Sequence, residues 1–418
     1  MKILLYSANF APEPVGVGKY SGEMAAWLVR QGHQVRVVAA PPYYPAWQLD
    51  PAYARPLFKR ERWHGVEIFR APLWVPSTPG GLARLAHLVS FVICSFPLML
   101  RQVVWRPDLV LTVAPAFLCA PVALLVARLV AARSWLHLQD FEVDLAFSMG
   151  LLKGKLLQRI ALRMERSVLR RFDTVSSISG RMLELLLRKG VSQERTCYLP
   201  NWVDIDHITP LSAGSTYRQE LGIKQNAIIV LFSGSLTGKQ DLELIPAVAR
   251  LLVARRDIVF IVCGDGVMKP RLQQAAQGLP NVQFLPLQPI ERLGELLSTA
   301  DIHLLPQSPD AGDLVLPSKL SGMLASGRPV ITTGRPGTEL GNIVATCGVV
   351  VAPGDQAAFA VALCALADDE KLRSALGRRA RSYAETHFER DAILDRVFGP
   401  GNVPEPAAPL DPVAANSR

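Results

Sequence analysis

Short apolar runs recur along this chain, each leading through a turn into a helix-length segment. That alternation is the strongest constraint on its fold. Ile3–Tyr6 is followed by a Gly/Pro loop and the helix-like stretch Ser21–Gln31, which Gly32 closes. Gln34–Ala39 (QVRVVA) reads as the next strand, and Leu109–Val113 and Ser134–Leu138 repeat the theme. Strands that are apolar along their length and separated by helices form parallel sheets covered on both faces. The rhythm pauses at Asn201–Ser215, a polar stretch with Pro210 and Gly214 that reads as a linker. It then restarts with strands at Ala227–Phe232, Ile258–Val262, Val282–Leu285, Ile302–Leu305, Val330–Thr333 and Val349–Val351. Helices are expected between them at Leu242–Val253, Lys269–Gln277, Glu291–Thr299 and Ser318–Ser326. The chain is therefore expected to be α/β, with two Rossmann-like, doubly wound parallel-sheet domains facing a cleft. Its 418 residues suit two such domains. The expected divisions are 1–205, 206–382, a closing helix at 383–398, and a Pro/Ala-rich tail at 399–418 that reads as disordered.

Composition narrows the function classes. Half of the residues are hydrophobic and 19% are charged, which suits buried cores and argues against overall disorder. The net charge of +9 favours an anionic partner, whether nucleic acid, an acidic membrane or a phosphorylated substrate. Six cysteines are scattered without a C-x-x-C pair or a nearby His cluster. A zinc site and a disulfide framework are not expected, and the thiols read as reduced and buried in a cytosolic protein. Ile3–Tyr6 reads as a buried strand, so no signal peptide is expected. Leu85–Leu100 carries no formal charge but is short and contains Pro97, while Leu109–Ala127 is divided by Pro115 and Pro121. No transmembrane helix is expected from either.

Five segments carry candidate chemistry. In Pro12–Lys19 (PEPVGVGK), Gly16 and Gly18 would let backbone amides approach an anion where a helix begins. In Ser233–Asp241 (SGSLTGKQD), Gly234, Ser235 and Gly238 form a flexible loop, and Lys239 supplies a cation for a departing diphosphate. The spacing is not that of a Walker A loop. In His137–Asp144 (HLQDFEVD), Asp140 lies nearest a strand end and could face a reacting sugar, whereas Glu142 and Asp144 read better as structural acids. In Asp310–Lys319 (DAGDLVLPSK), Asp313 could accept sugar hydroxyls, and Pro317-Ser318-Lys319 would open a helix toward an anion. Finally, Lys155, Arg159, Arg163, Arg166 and Arg170 recur every three or four residues, with Glu165 the lone acid among them. They would form a basic stripe suited to anionic lipid, with Leu152, Leu156, Ile160 and Leu169 for burial or membrane contact.

Taken together, V-G-V-G near the start, G-S-L-T-G-K-Q, C-G-D-G at Cys263–Gly266 and Leu316–Ile331 (LPSKLSGMLASGRPVI) resemble a known family. They are similar to the GT-B-fold retaining glycosyltransferases of family four, and within it to the colanic-acid-type, fucosyltransferase-like branch. The resemblance runs from Met1 to about Phe398. It implies that Gly16 and Gly18 lie beside a donor diphosphate and that Asp140 faces the sugar. It further implies that Lys239 binds phosphate, and Gly234, Ser235, Asp265, Asp313, Ser318 and Lys319 are the other expected donor-binding residues. The segment of Leu285 and Leu287 would then lie beside the base, and a last helix would cross back to the first domain. One departure is plain: family members carry two glutamates eight residues apart, and those positions fall here on Leu314 and Gly322.

The expected function is retaining transfer of a hexose or deoxyhexose from a nucleoside diphosphate sugar, GDP-fucose-like or UDP-linked. The expected acceptor is a lipid-linked oligosaccharide of exopolysaccharide synthesis. The expected place is the cytoplasm, peripheral on the inner face of the membrane. No metal, cofactor or nucleic acid is expected. A nucleotide-sugar epimerase of similar fold and a catalytically dead membrane scaffold remain as alternatives. A NAD-dependent oxidoreductase fits less well, since neither half has G-x-G-x-x-G followed by an acid about twenty residues on.

Overall fold

The structure is a computed structural model of the chain. The described residues are 1–53, 57–77, 80–115, 117–148, 154–211, 215–237, 240–308, 316–335 and 337–399. Lys239, Asp313, Leu314, Leu152 and the expected tail from residue 400 lie outside them. The chain divides into two compact units. One holds Met1–Pro200 and the residues from Leu394 onward, and the other holds Asn201–Ile393.

The first unit is an eight-stranded sheet in the order β3-β4-β2-β1-β5-β6-β7-β8. Its strands are β1 (Lys2–Ser7), β2 (Gln34–Ala39), β3 (Lys59–Trp63), β4 (Val66–Arg70), β5 (Leu109–Ala114), β6 (Arg133–Leu138), β7 (Thr174–Ser177) and β8 (Thr196–Tyr198). Its helices are α1 (Gly16–Arg30), α2 (Gly81–Trp105), α3 (Ala120–Val130), α4 (Glu142–Ser148), α5 (Lys155–Leu169) and α6 (Gly180–Arg188). All neighbours are parallel except β3, which pairs antiparallel with β4 at the edge. The hairpin turns at His64 and Gly65, with φ of 45° and 80°, the left-handed pair that a two-residue turn requires. The charged sequence KRERW suits such an edge, where backbone groups face water.

Helix placement follows from the order of the strands. The steps from β4 through β5, β6 and β7 to β8 all run the same way across the sheet, whereas β1 to β2 runs the other way. Right-handed crossovers then put α2, α3, α5 and α6 on one face and α1 on the other. The cores agree. Tyr6, Val38 and Val110 pack with Phe91 and Met99 of α2 and Val122 and Val126 of α3. Leu136, Leu138 and Val175 pack with Leu124 of α3, Leu169 of α5 and Met182 and Leu186 of α6.

The second unit has six strands, all parallel, in the order β11-β10-β9-β12-β13-β14. They are β9 (Ile228–Ser233), β10 (Ile258–Cys263), β11 (Val282–Leu285), β12 (Ile302–Leu305), β13 (Val330–Thr333) and β14 (Gly348–Val351). The helices are α7 (Thr216–Glu220), α8 (Leu244–Leu251), α9 (Lys269–Ala275), α10 (Leu293–Thr299), α11 (Leu320–Ala325), α12 (Glu339–Cys347), α13 (Gln356–Asp368) and α14 (Glu370–His387), and α15 (Arg390–Phe398) starts here and passes into the first unit at Leu394. Side chains alternate across the sheet. Ile229 and Leu231 enter a core with α10, α11, α12 and α14, while Val230 and Phe232 enter another with α8, α9 and α13. Within this unit, Arg390 pairs with Asp204 at 2.7 Å and donates its N–H to the Val203 carbonyl at 3.1 Å. In the first unit, the Phe398 ring stacks on Trp135 with centroids 5.1 Å apart.

A buried charge cluster ties three helices of the first unit together. Lys189, just beyond α6, donates to Asp144 of α4 at 2.7 Å and pairs with Glu165 of α5. Burial pushes the Glu165 carboxyl above its ordinary range despite that partner. Removing Lys189 leaves a buried acid without its counter-ion, a loss of about 3–5 kcal/mol. Lys189→Ala should therefore unfold at markedly lower urea at neutral pH. The deficit should shrink in acid, where Glu165 takes up a proton, and a variant as stable as wild type at pH 7 refutes the role.

Candidate functional site

In the second unit the site begins with two adjacent strand ends. β9 and β10 pair in parallel from Ile228↔Ile258 to Ser233↔Cys263, so their exits run side by side. Gly234 N–H donates to the Cys263 carbonyl at 2.9 Å, Leu236 N–H to that of Asp265 at 2.8 Å, and Met268 N–H to that of Leu236 at 3.0 Å. This closeness dictates the C-G-D-G sequence. Gly264 has φ of 147°, and a Cβ there would sit 1.9 Å from the Gly234 oxygen. The backbone can approach so closely only without a side chain.

Lys319 reaches into this loop pair from just before α11. Its Nζ lies 4.1 Å from the Phe232 ring centroid and donates to Gln240 Oε1 at 3.2 Å. A Cβ on Gly234 would lie 2.6 Å from that Nζ, so the glycine makes room for the ammonium. Lys319 is half-buried as a residue, but its ammonium is densely enclosed, and desolvation pulls its pKa down to about 7. Among the described residues no carboxylate forms an ion pair with it. A desolvated cation beside glycine backbone at the carboxyl ends of parallel strands is suited to receiving an anion.

The other residues expected here are placed as follows. Ser235 is half-buried on the Gly234 loop, and Ser318 is exposed ahead of α11, which starts at Leu320 instead of Ser318 because Pro317–Lys319 form the entry turn. Asp265 turns its carboxylate back onto Gly266 N–H at 2.8 Å and stands 3.7 Å from Lys269. Leu285 ends the edge strand β11 and packs against the core, leaving the exposed Leu287 as the surface residue of that segment. A Cβ on Gly322 would point at Leu297 and Ile208, 3.2 and 3.6 Å away, so a side chain there would face packed interior.

In the first unit the loop after β1 is organised by Glu13, a residue the sequence reading passed over. Its carboxylate accepts N–H groups of Tyr43 at 3.1 Å and Tyr44 at 3.0 Å, and the Asn9 amide at 3.0 Å. Burial nevertheless pushes its pKa up to about 7. A Cβ on Gly18 would lie 2.5 Å from Glu13 Oε2, so this glycine accommodates the carboxylate. Gly16, with φ of 63°, opens α1, whose N-cap Val15 offers no side-chain bond to the first N–H groups.

Past β6, Asp140 is half-buried at the strand exit. His137 is buried, bonded to Ser176 Oγ at 2.9 Å and to Gln139 at 3.2 Å, and desolvation holds it neutral with a pKa of about 3. Glu142 accepts Phe117 N–H at 2.7 Å, and Asp144 belongs to the Lys189 cluster. Both acids thus have structural roles, and Asp140 lies two residues before α4 begins. The five cations of α5 and its C-terminus, Lys155, Arg159, Arg163, Arg166 and Arg170, are all exposed, while Glu165 is turned inward.

Gly264→Ala should disrupt the paired loops, because the new methyl meets backbone that cannot step aside. A fall in melting temperature is expected, and an unchanged melt would contradict the close approach.

Comparison with known proteins fits this architecture. Residues 15–202 match the glycosyl transferase 4-like domain, and residues 227–369 match glycosyl transferases group 1. The chain is 40% identical, over 94% of its length and 98% of the relative's, to a protein of Escherichia coli (strain K12) that carries the name colanic acid biosynthesis glycosyl transferase WcaI. Among solved structures, the sucrose-phosphate synthase of Thermosynechococcus elongatus superposes with a TM-score of 0.73 at 18% identity, covering 94% of this chain and 96% of that one. Anabaena HepE, solved in complex with UDP and glucose, superposes with a TM-score of 0.68 at 18% identity, covering 95% and 98%. These structural likenesses speak to the fold, which is that of GT-B glycosyltransferases. The two domain matches and the near full-length relative establish that this chain belongs to the glycosyltransferase family that pairs a glycosyl transferase 4-like domain with a group 1 domain.

Proposed function

We propose that this glycosyltransferase moves a sugar from a nucleoside diphosphate sugar to a lipid-linked oligosaccharide during exopolysaccharide assembly, with retention at the anomeric carbon. The observation that carries the donor side is the Lys319 ammonium, desolvated beside Gly234 where β9 and β10 end. The relative's name supports the polysaccharide setting, and the UDP and glucose bound to HepE support the donor class. A GDP- or UDP-linked sugar would place its diphosphate against Lys319 and the Gly234 and Gly264 loops.

As the bond from the anomeric carbon to the diphosphate oxygen breaks, negative charge grows on the leaving phosphate. A preorganised cation in low-dielectric surroundings stabilises that charge more in the transition state than in the bound donor. The acceptor oxygen bonds to the anomeric carbon on the same face, and its proton passes to the departing phosphate oxygen. Asp140 would orient the sugar or the acceptor. The enzyme would work in the cytoplasm, peripheral on the inner membrane face, with the α5 cations turned to anionic lipid.

The donor reading is tested by a thermal-shift panel of UDP, GDP and their sugars, followed by product analysis. At least one nucleotide should raise the melting temperature, and stabilisation by none of them overturns the assignment. Lys319→Met should lower turnover by roughly 10²–10³-fold, the usual loss for one stabilising group.

The lowered pKa of Lys319 sets a pH dependence. Below about pH 7 the empty site already carries the proton that a diphosphate needs. Above it, binding must take up a proton, so affinity should fall by up to about tenfold per pH unit until the bound-state pKa is reached. Nucleotide ionisation is common to both proteins, so the ratio of wild-type to Lys319→Met affinity isolates the effect. A ratio flat from pH 6 to 9 would falsify this role.

A further inference from the structure

The longest helix of the first unit leaves an apolar stripe uncovered. α2 runs for 25 residues, and Leu82, Leu85, Val89, Ile93, Leu100 and Val104 follow one another at spacings of three, four and seven along its outer side. Leu82, Ile93 and Val104 are 76%, 66% and 87% exposed. Packing against the sheet accounts for Phe91 and Met99 on the opposite side. An outer face this rich in large apolar side chains needs its own explanation. Its neighbour α3 continues the theme with exposed Leu125 and Leu129. On the same face of the sheet, α5 exposes Leu156, Ile160 and Met164 between its cations.

Charge decides between possible occupants. Arg84 and Arg101 lie on α2 and Arg128 on α3, and neither helix contains an acid. The single acid of α5, Glu165, is buried against Lys189. The outward surfaces of all three helices therefore carry cations and no anions. A second copy docking face to face would bring like charges together. A bilayer bearing anionic headgroups matches both the apolar stripe and its basic surroundings.

By length and composition α2 could cross a bilayer. Its inner side argues for a different pose. Phe91 and Met99 belong to the sheet's core, Ser95 Oγ bonds to Tyr6 at 2.5 Å, and Gln102 accepts from Arg36 at 3.3 Å. His87 Nδ1 lies 2.6 Å from the Trp74 carbonyl. Crossing the membrane would strip these bonds and place Ser95, Gln102 and His87 in hydrocarbon. We infer that α2 is an in-plane membrane helix: fastened to the sheet on its inner side, it immerses its outer stripe at the headgroup–acyl boundary of an anionic bilayer, while the α5 cations supply electrostatic attraction. The inference deepens the membrane-side reading above and rests on it only for the lipid-linked acceptor.

The test uses the full chain and vesicles of phosphatidylcholine, with or without phosphatidylglycerol. Wild type should float with the anionic vesicles and stay partly bound in high salt. Ile93→Glu/Val104→Glu should lower partitioning by roughly tenfold or more at both salt levels, because carboxylates enter the acyl boundary poorly. Arg159→Glu/Arg163→Glu should lose only the salt-sensitive part. With Cys94 and Cys364 replaced by Ser, spin labels at Leu85→Cys and Leu100→Cys should report similar shallow depths. Unchanged flotation of Ile93→Glu/Val104→Glu overturns the inference. So does a solution dimer that this variant splits while vesicles are ignored, which would show a second copy on the stripe. Graded label depths would show a spanning helix instead. Nucleotide-induced thermal shifts are read in parallel on every variant. Lost flotation with intact shifts, or the reverse, tells failure of the docking surface from failure of the donor site.

Discussion

Parallel pairing of strands buried on both faces is the constraint from which the rest of this structure follows. A parallel strand must be reached by a crossover, the crossover is a helix, and its hand assigns it to a face. Every strand of the second unit, and all but one of the first, obey this rule. Strand exits therefore gather along one edge of each sheet, and those exits are where Gly234, Gly264, Glu13 and Asp140 lie. The edge hairpin β3–β4 departs from the pattern only where one side of the sheet ends.

The candidate donor site shows how backbone geometry precedes chemistry. The exits of β9 and β10 run so close that Gly264 has no room for a side chain, and Gly234 has none because Lys319 fills the space. One consequence is a cation held out of water by the fold itself. Desolvation costs the empty protein some stability and makes the ammonium easy to discharge, and an incoming anion relieves that cost. The glycines in this region thus serve the packing of the loops and, through Lys319, the binding of charge.

Much of this was legible in the residues. Gln34–Ala39, Val282–Leu285, Ile302–Leu305 and Val330–Thr333 coincide with observed strands, since short runs rich in Val, Ile and Leu and bounded by turns favour strands even with a Gln, Arg, His or Thr among them. Ser318 and Lys319 stood out through the Pro-Ser-Lys helix entry, although α11 begins two residues later. Glu13 did not stand out, because its role depends on Tyr43 and Tyr44, about thirty residues away, turning their N–H groups toward it. The charged strand β3 was equally hidden, since KRERW has no apolar period to mark it.

The sequence by itself determined the two-sheet architecture, the glycosyltransferase family and the residue types near the strand ends, because these follow from local periodicity and contiguous motifs. It argued against a span for the apolar Leu85–Leu100 segment through its length and Pro97, but it could not tell which of its residues face the core and which the surface, since composition records hydrophobicity without direction. Only the tertiary structure decided that. Packing buries Phe91, Met99, Ser95 and Gln102 against one sheet face and leaves Ile93 and Val104 outside. The same holds for Lys319, where an ordinary lysine becomes a desolvated one because the fold encloses it beside Phe232, Gly234 and Gln240.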